Sequence, residues 1–237
     1  MAGFLRGIRK PLGDPKVEFF PRSASKYKKE SICKEKILHN YRCIFIHIPK
    51  TAGNSITYAL NFLPKRTGRD YSSAKTDKHA KAVEVKRILG DKIWEEYFTF
   101  CFVRNPWDLM VSCYYWWLQK AHKWEKFHPD IRRIQQLGSF DGFMHSQYGR
   151  EMINEIKGSI FDWISEEGEI IVDFVGRFEN IQEDWKKVCE HIGAQYQTLP
   201  HKNRTERKPY RGFYTNETRE IVAERFWRSI EEFGYSF

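Results

Sequence analysis

The sequence predicts an α/β protein built on a central, mostly parallel sheet flanked by helices. Three apolar segments carry that expectation: "RCIFIHI" at 42–48, "FTFCFV" at 98–103 and "EIIVDFVGRFE" at 169–179. The first two are continuous apolar runs, the pattern of strands covered on both faces. Each segment is followed by helical periodicity, and strands alternating with helices build parallel sheets. The 237 residues, 41% of them hydrophobic, suffice for one sizeable core.

Residues 1–40 read as a basic, partly irregular N-terminal extension, and 41–237 as the folded domain. After the first strand a helix is expected over 53–62, closed by Pro64. Residues 67–80 form a polar loop, and 81–98 are helical with a break at Gly90. The helix over 105–121 has good start chemistry: Asn105 can cap it, Pro106 suits its first turn, and Asp108 sits at the positive end of its dipole. Residues 120–165 mix helices and loops. The third strand leads into an amphipathic helix ended by Gly193, then a basic loop over 199–214. A final helix spans 215–235, with Thr215 or Asn216 as its cap.

Lys and Arg number 40 against 31 Asp and Glu, a net charge of +9. This favours an anionic partner: a nucleotide, a sulfated or phosphorylated ligand, an acidic glycan or nucleic acid. No apolar run reaches the length of a membrane span, and "MAGFLRGIRKPLGDPK" lacks the apolar core of a signal peptide. The five cysteines (33, 43, 101, 113 and 189) form no CxxC pair. They read as reduced thiols of a cytoplasmic protein, with no zinc site and no disulfide frame.

Two stretches carry chemistry. In "HIPKTAGNSIT", a loop runs from the first strand into a helix start, whose free N–H groups and dipole favour phosphate. Gly53 permits close backbone approach, Thr51, Asn54, Ser55 and Thr57 add side-chain donors, and Lys50 adds a point charge. The competing reading is an ordinary strand–turn–helix with Lys50 in solvent. The chain has no GxxxxGK[ST] loop, so nothing supports triphosphate hydrolysis. In "CFVRNPWDLMVSCY", Arg104 stands at a strand end and Ser112 about two turns into the next helix. Arg104 can grip a phosphate with two N–H bonds, or pair with Asp108 as a structural cap. Two such loops on neighbouring strands suit one ligand with two separated phosphates, lying across the carboxyl ends of the sheet.

"FIHIPKTAGNSI" followed by "FCFVRNPWDLMVSCYY" resembles the two nucleotide-binding signatures of the sulfotransferases. The likeness is to the carbohydrate branch, of the heparan sulfate 2-O-sulfotransferase and related bacterial kind, and continues through "VGRFENIQEDWKKVCEHIG" to "EEFGYSF". It implies a P-loop-like sulfotransferase fold and transfer of a sulfuryl group from 3′-phosphoadenosine 5′-phosphosulfate, without a metal, to an acceptor hydroxyl on a carbohydrate. Matched by position, Lys50, Thr51, Ala52, Gly53, Asn54 and Ser55 face the 5′-phosphosulfate, with Lys50 catalytic, and Arg104 and Ser112 face the 3′-phosphate. The desulfated 3′,5′-diphosphate is the product. A small-molecule or nucleotide kinase and a non-catalytic anionic-glycan-binding protein on the same scaffold are the alternatives. Nucleic acid is not an expected partner.

The acceptor needs a base, and His79 in "TDKHAKA" is the candidate among eight histidines, against a solvent-facing helix-start residue. Glu84 is the weaker alternative, and His47 reads as a packed strand-end residue. His122, His128, His145 and His201 could line an acceptor cleft. The basic loop "PHKNRTERKPYRGFY" could fold over the nucleotide or stay in solvent. The aromatics of "CYYWWLQKAHKW" suit a sugar wall or, by helical spacing, the core.

Overall fold

A computed structural model describes residues 4–5, 37–64, 79–124, 129–150, 159–200 and 207–237. The elements in chain order begin with β1 (Phe4–Leu5), β2 (Ile37–Leu38), β3 (Cys43–Ile46) and α1 (Gly53–Asn61). Then come α2 (Ala82–Leu89), α3 (Asp91–Glu96), β4 (Phe98–Val103) and α4 (Pro106–Trp124). Next are α5 (Pro129–Gln136), α6 (Phe140–His145), α7 (Gln147–Arg150) and the strands β5 (Ser165–Glu166) and β6 (Glu169–Ile170). The last are β7 (Phe174–Arg177), α8 (Ile181–His191), α9 (Asn216–Arg225) and α10 (Trp227–Phe233).

The main sheet has the order β1-β7-β4-β3-β2. Its centre, β3–β4–β7, is parallel, while β1 and β2 pair antiparallel at the two edges. Alternate side chains of the parallel strands enter two separate cores. Ile44, Ile46, Cys101, Val103 and Val175 pack with Val85 of α2, Met110 of α4, Phe143 of α6 and Val222 of α9. On the other face Phe45, Phe100, Phe102 and Phe174 meet Ile56 and Leu60 of α1 and Trp185 and Val188 of α8. With helices on both faces, neither side of a central strand can be polar, which is why these segments read as unbroken apolar runs.

The predicted α/β architecture is the observed one, with three local differences. The strand expected over 169–179 is divided: Glu169–Ile170 pairs with Ser165–Glu166 in a separate hairpin, and only Phe174–Arg177 joins the sheet. Glu167 and Gly168, at φ 50° and 87°, make the tight turn that such a hairpin demands. Asp173 marks the start of the true strand, because its carboxylate accepts from both the N–H and the hydroxyl of Thr99, each at 2.8 Å. The final helix breaks at Phe226, which is fully buried. Ser229 of α10 then accepts from the backbone N–H of Phe161 at 3.1 Å, tying that helix to a distant loop. Two-residue edge strands at 4–5 and 37–38 lie within the expected extension, most of which is outside the described residues, as is most of the polar loop over 67–80.

Helix starts follow the expected chemistry. Asn105 Oδ1 accepts from the N–H of Trp107 at 3.1 Å, and Thr215 Oγ1 from that of Thr218 at 3.2 Å. Cys43, Cys101, Cys113 and Cys189 are buried and in no disulfide, and burial pushes Cys189 up to about 12, far from a nucleophile's range. Among the described residues no helix is long and apolar enough to cross a membrane.

Candidate functional site

Because β3, β4 and β7 run parallel, their carboxyl ends open side by side on one edge of the sheet. Each leads through a turn into a helix: 47–52 into α1, 104–105 into α4, and 178–180 into α8.

The first turn is shaped by the chain's own backbone and bonds. Lys50 and Ala52 both sit at φ 66°, a left-handed conformation that costs non-glycine residues of order 1 kcal/mol or more each and recurs at functional loops. Local bonds hold it there. The Thr51 hydroxyl, wholly buried, donates to the Ile48 carbonyl at 2.9 Å, and the Ala52 carbonyl accepts from the N–H of Ser55 at 2.8 Å. Gly53 has no alternative at its position: a Cβ there would stand 2.0 Å from the His47 ring. Ser55 is buried and Asn54 exposed at the start of α1. The Lys50 ammonium lies 5.7 Å from the centre of the Trp116 ring, on α4.

In the second turn Arg104 is buried over the Phe178 ring, 3.9 Å away. Its Nε and Nη2 donate to Asp108 Oδ2 at 2.9 and 2.6 Å, and its Nη1 donates to the Lys50 carbonyl at 2.9 Å. The Asp108 pair and the bond to the first loop therefore coexist. Asp108 also accepts from Arg207 at 2.5 Å through its other oxygen. Burial pushes the Asp108 carboxyl up, but the Arg104 and Arg207 charges outweigh it and hold the group below its ordinary value. Burial lowers the Arg104 guanidinium, against the pull of Asp108. Ser112 is buried one turn farther along α4.

Arg207 comes from the basic loop. Its side chain is only 10% exposed, and its Nη1 is buried with no hydrogen-bond partner among the described residues. A buried guanidinium N–H left unmatched is costly, so this group fits an anion. Nothing in the sequence pairs it with Asp108, because the two are 99 residues apart.

His79 stands beside the first loop. Its Nδ1 is 3.2 Å from the His47 carbonyl, and its ring is 4.8 Å from the His47 ring and 6.4 Å from Trp163. A carbonyl only accepts, so this bond puts the proton on Nδ1 and, in the neutral ring, the lone pair on Nε2. His47 is buried and stacked on Phe45, the packed strand-end residue expected. Glu84 caps α2 by accepting from the N–H of Lys81 at 2.7 Å. His145 contacts Asp141 and Glu217 instead, which raise its pKa. The side chains of His122, His128 and His201 lie outside the described residues. In the aromatic stretch of α4, Tyr114 packs on Phe140 and Phe143, whereas Trp116 faces Lys50.

The two loops, Arg104, Arg207 and His79 thus converge on one edge of the sheet. Comparison with known proteins places the chain in a family. An uncharacterized protein of Archaeoglobus fulgidus is 30% identical to this chain over 110 residues, covering 46% of this chain and 78% of its own length. Residues 36–236 match the Sulfotransferase family, a span that includes both turns, the basic loop and all three parallel strands. The chain belongs to the sulfotransferase family.

Proposed function

We propose that the chain transfers a sulfuryl group from 3′-phosphoadenosine 5′-phosphosulfate to a hydroxyl on a carbohydrate, by in-line displacement. The observation that supports this best is the bond from Arg104 to the Lys50 carbonyl, which joins two anion-binding turns into one receptor. The residues present fit the donor. The N-terminal end of α1 suits the 5′ end, and the unmatched Arg207 N–H beside Arg104 suits the 3′-phosphate.

The donor supplies the sulfuryl group. Lys50, with the backbone N–H groups of 52–54, counters the charge that gathers on the 5′-phosphate oxygen as the bond to sulfur breaks. Arg104, Ser112 and Arg207 anchor the far end, so the reacting end is aligned by contacts remote from it. His79 takes the proton of the acceptor hydroxyl at Nε2 while the His47 carbonyl fixes the ring. Trp116 offers an aromatic face beside Lys50 to a sugar ring.

Calorimetric titration with the 3′,5′-diphosphate product, with metal chelated, tests the donor. Micromolar binding that falls at least about tenfold with 5′-AMP supports it. Equal affinity for the two nucleotides rejects it. A screen of polysaccharides, small glycans and phenols with a labelled sulfate donor then identifies the acceptor.

A further inference from the structure

The stretch "FGYSF" has no part in the chemistry above, yet it is bonded directly to the second turn. The Asn105 side chain donates to the Ser236 carbonyl at 2.9 Å. The Asn105 backbone N–H donates to Glu179 Oε1 at 2.7 Å, and the Tyr235 hydroxyl donates to the other oxygen of that carboxylate at 3.2 Å. Phe237 sets its ring edge-on to Trp107 at 5.7 Å, on the far side of Pro106 from Asn105. The same ring meets Tyr210 and Tyr214 at 5.8 and 5.5 Å, and the Arg211 guanidinium at 5.9 Å, all in the segment that carries Arg207. Behind it, Arg177 at the end of β7 covers the Tyr235 ring at 4.9 Å and donates to the Phe233 carbonyl.

We infer that Tyr235, Ser236 and Phe237 form a strap that positions Arg104 and Arg207 against each other, and so sets affinity for the 3′-phosphate of the nucleotide. This rests on the assignment of Arg104 to that phosphate. Arg104 is the residue before Asn105, and every polar group of Asn105 is engaged: by the strap, by Glu179, by the helix cap and, at its carbonyl, by the N–H of Leu109. Phe237 wedges between α4 and the late loop, so it fixes the separation of the two guanidiniums that share Asp108. The first loop has its own braces in Thr51 and the His47–Gly53 contact, so the 5′ end depends on the strap only through the one bond from Arg104 to the Lys50 carbonyl.

The test compares Phe237→Ala and Tyr235→Phe with the wild type in titrations with the 3′,5′-diphosphate and with 5′-AMP, alongside circular dichroism. Phe237→Ala is expected to weaken the diphosphate about tenfold or more while 5′-AMP changes less than about threefold. Tyr235→Phe keeps the ring under Arg177 and loses only the bond to Glu179. It is expected to show the same selective loss at smaller size, which also covers the case in which Phe237→Ala does not fold. Diphosphate affinity within about threefold of wild type in the folded variants, or equal loss for both nucleotides, overturns the strap. Failure of the wild type itself to prefer the diphosphate overturns instead the assignment on which it rests.

Discussion

The guanidinium of Arg104 donates to the backbone carbonyl of Lys50 at 2.9 Å, joining residues 54 positions apart. The residue proposed to hold one phosphate thereby also holds the loop that carries Lys50, the proposed catalytic lysine. Arg104→Lys keeps the charge but cannot supply the three fixed N–H directions used here. We expect it to weaken the 3′,5′-diphosphate at least about tenfold and to lower kcat as well, because the Lys50 carbonyl loses its restraint. Titration combined with steady-state kinetics checks both; a change in nucleotide affinity with kcat untouched would show that the bond is only a bystander.

Lys50→Ala should leave folding alone and lower turnover by about 100-fold or more, the scale on which a group that stabilises developing charge is felt. Its backbone stays left-handed in either case, so the melting temperature should barely move. Wild-type turnover in a folded variant removes the catalytic role.

Gly53→Ala forces a methyl group into the His47 ring. That ring is confined by Phe45 and His79, so the cost should reach about 1–3 kcal/mol. Thermal melts of Gly53→Ala, His47→Ala and the double variant test the contact. The double variant should recover much of the loss, and strict additivity would deny the clash.

His79→Ala should cut turnover by about 100-fold or more and flatten its fall on acidification, since the group that would protonate is gone. A pH–rate profile of the variant that matches the wild type excludes His79 as the base.

Asp108 titrates below its ordinary value of 3.8 in the folded protein. Its contribution to stability is therefore complete above that value and is lost as pH falls through the lower folded pKa. Asp108→Asn should be less stable than wild type near pH 7, and the gap should narrow between about pH 5 and about pH 2. Urea unfolding across that range reads it directly.

The legible parts of the molecule were those decided by local composition. All six residues of β4 are buried, and the segment 98–103 shows it in every letter but Thr99. The cap at Asn105 is equally local. Contacts between distant segments were not legible. Asp173 looks like one acid inside an apolar run, and only its bonds to Thr99 reveal that it starts the strand. Arg207 is one of five basic residues in its loop, and only Asp108 on another element singles it out. In the sequence His79 is marked only by its place between two motifs, while the His47 carbonyl that orients it is supplied just past the end of β3.

The edge pairing of Phe4 with Val175 has a kinetic meaning. Each parallel partner in this sheet is supplied by a segment at least fifty residues away, and the outermost pair spans most of the chain. Closing such long loops is entropically slow, so the protein should fold late and cooperatively rather than hairpin by hairpin. On the ribosome the first strand must wait until the seventh has emerged, and until then its sheet edge has no native partner to shield it from aggregation.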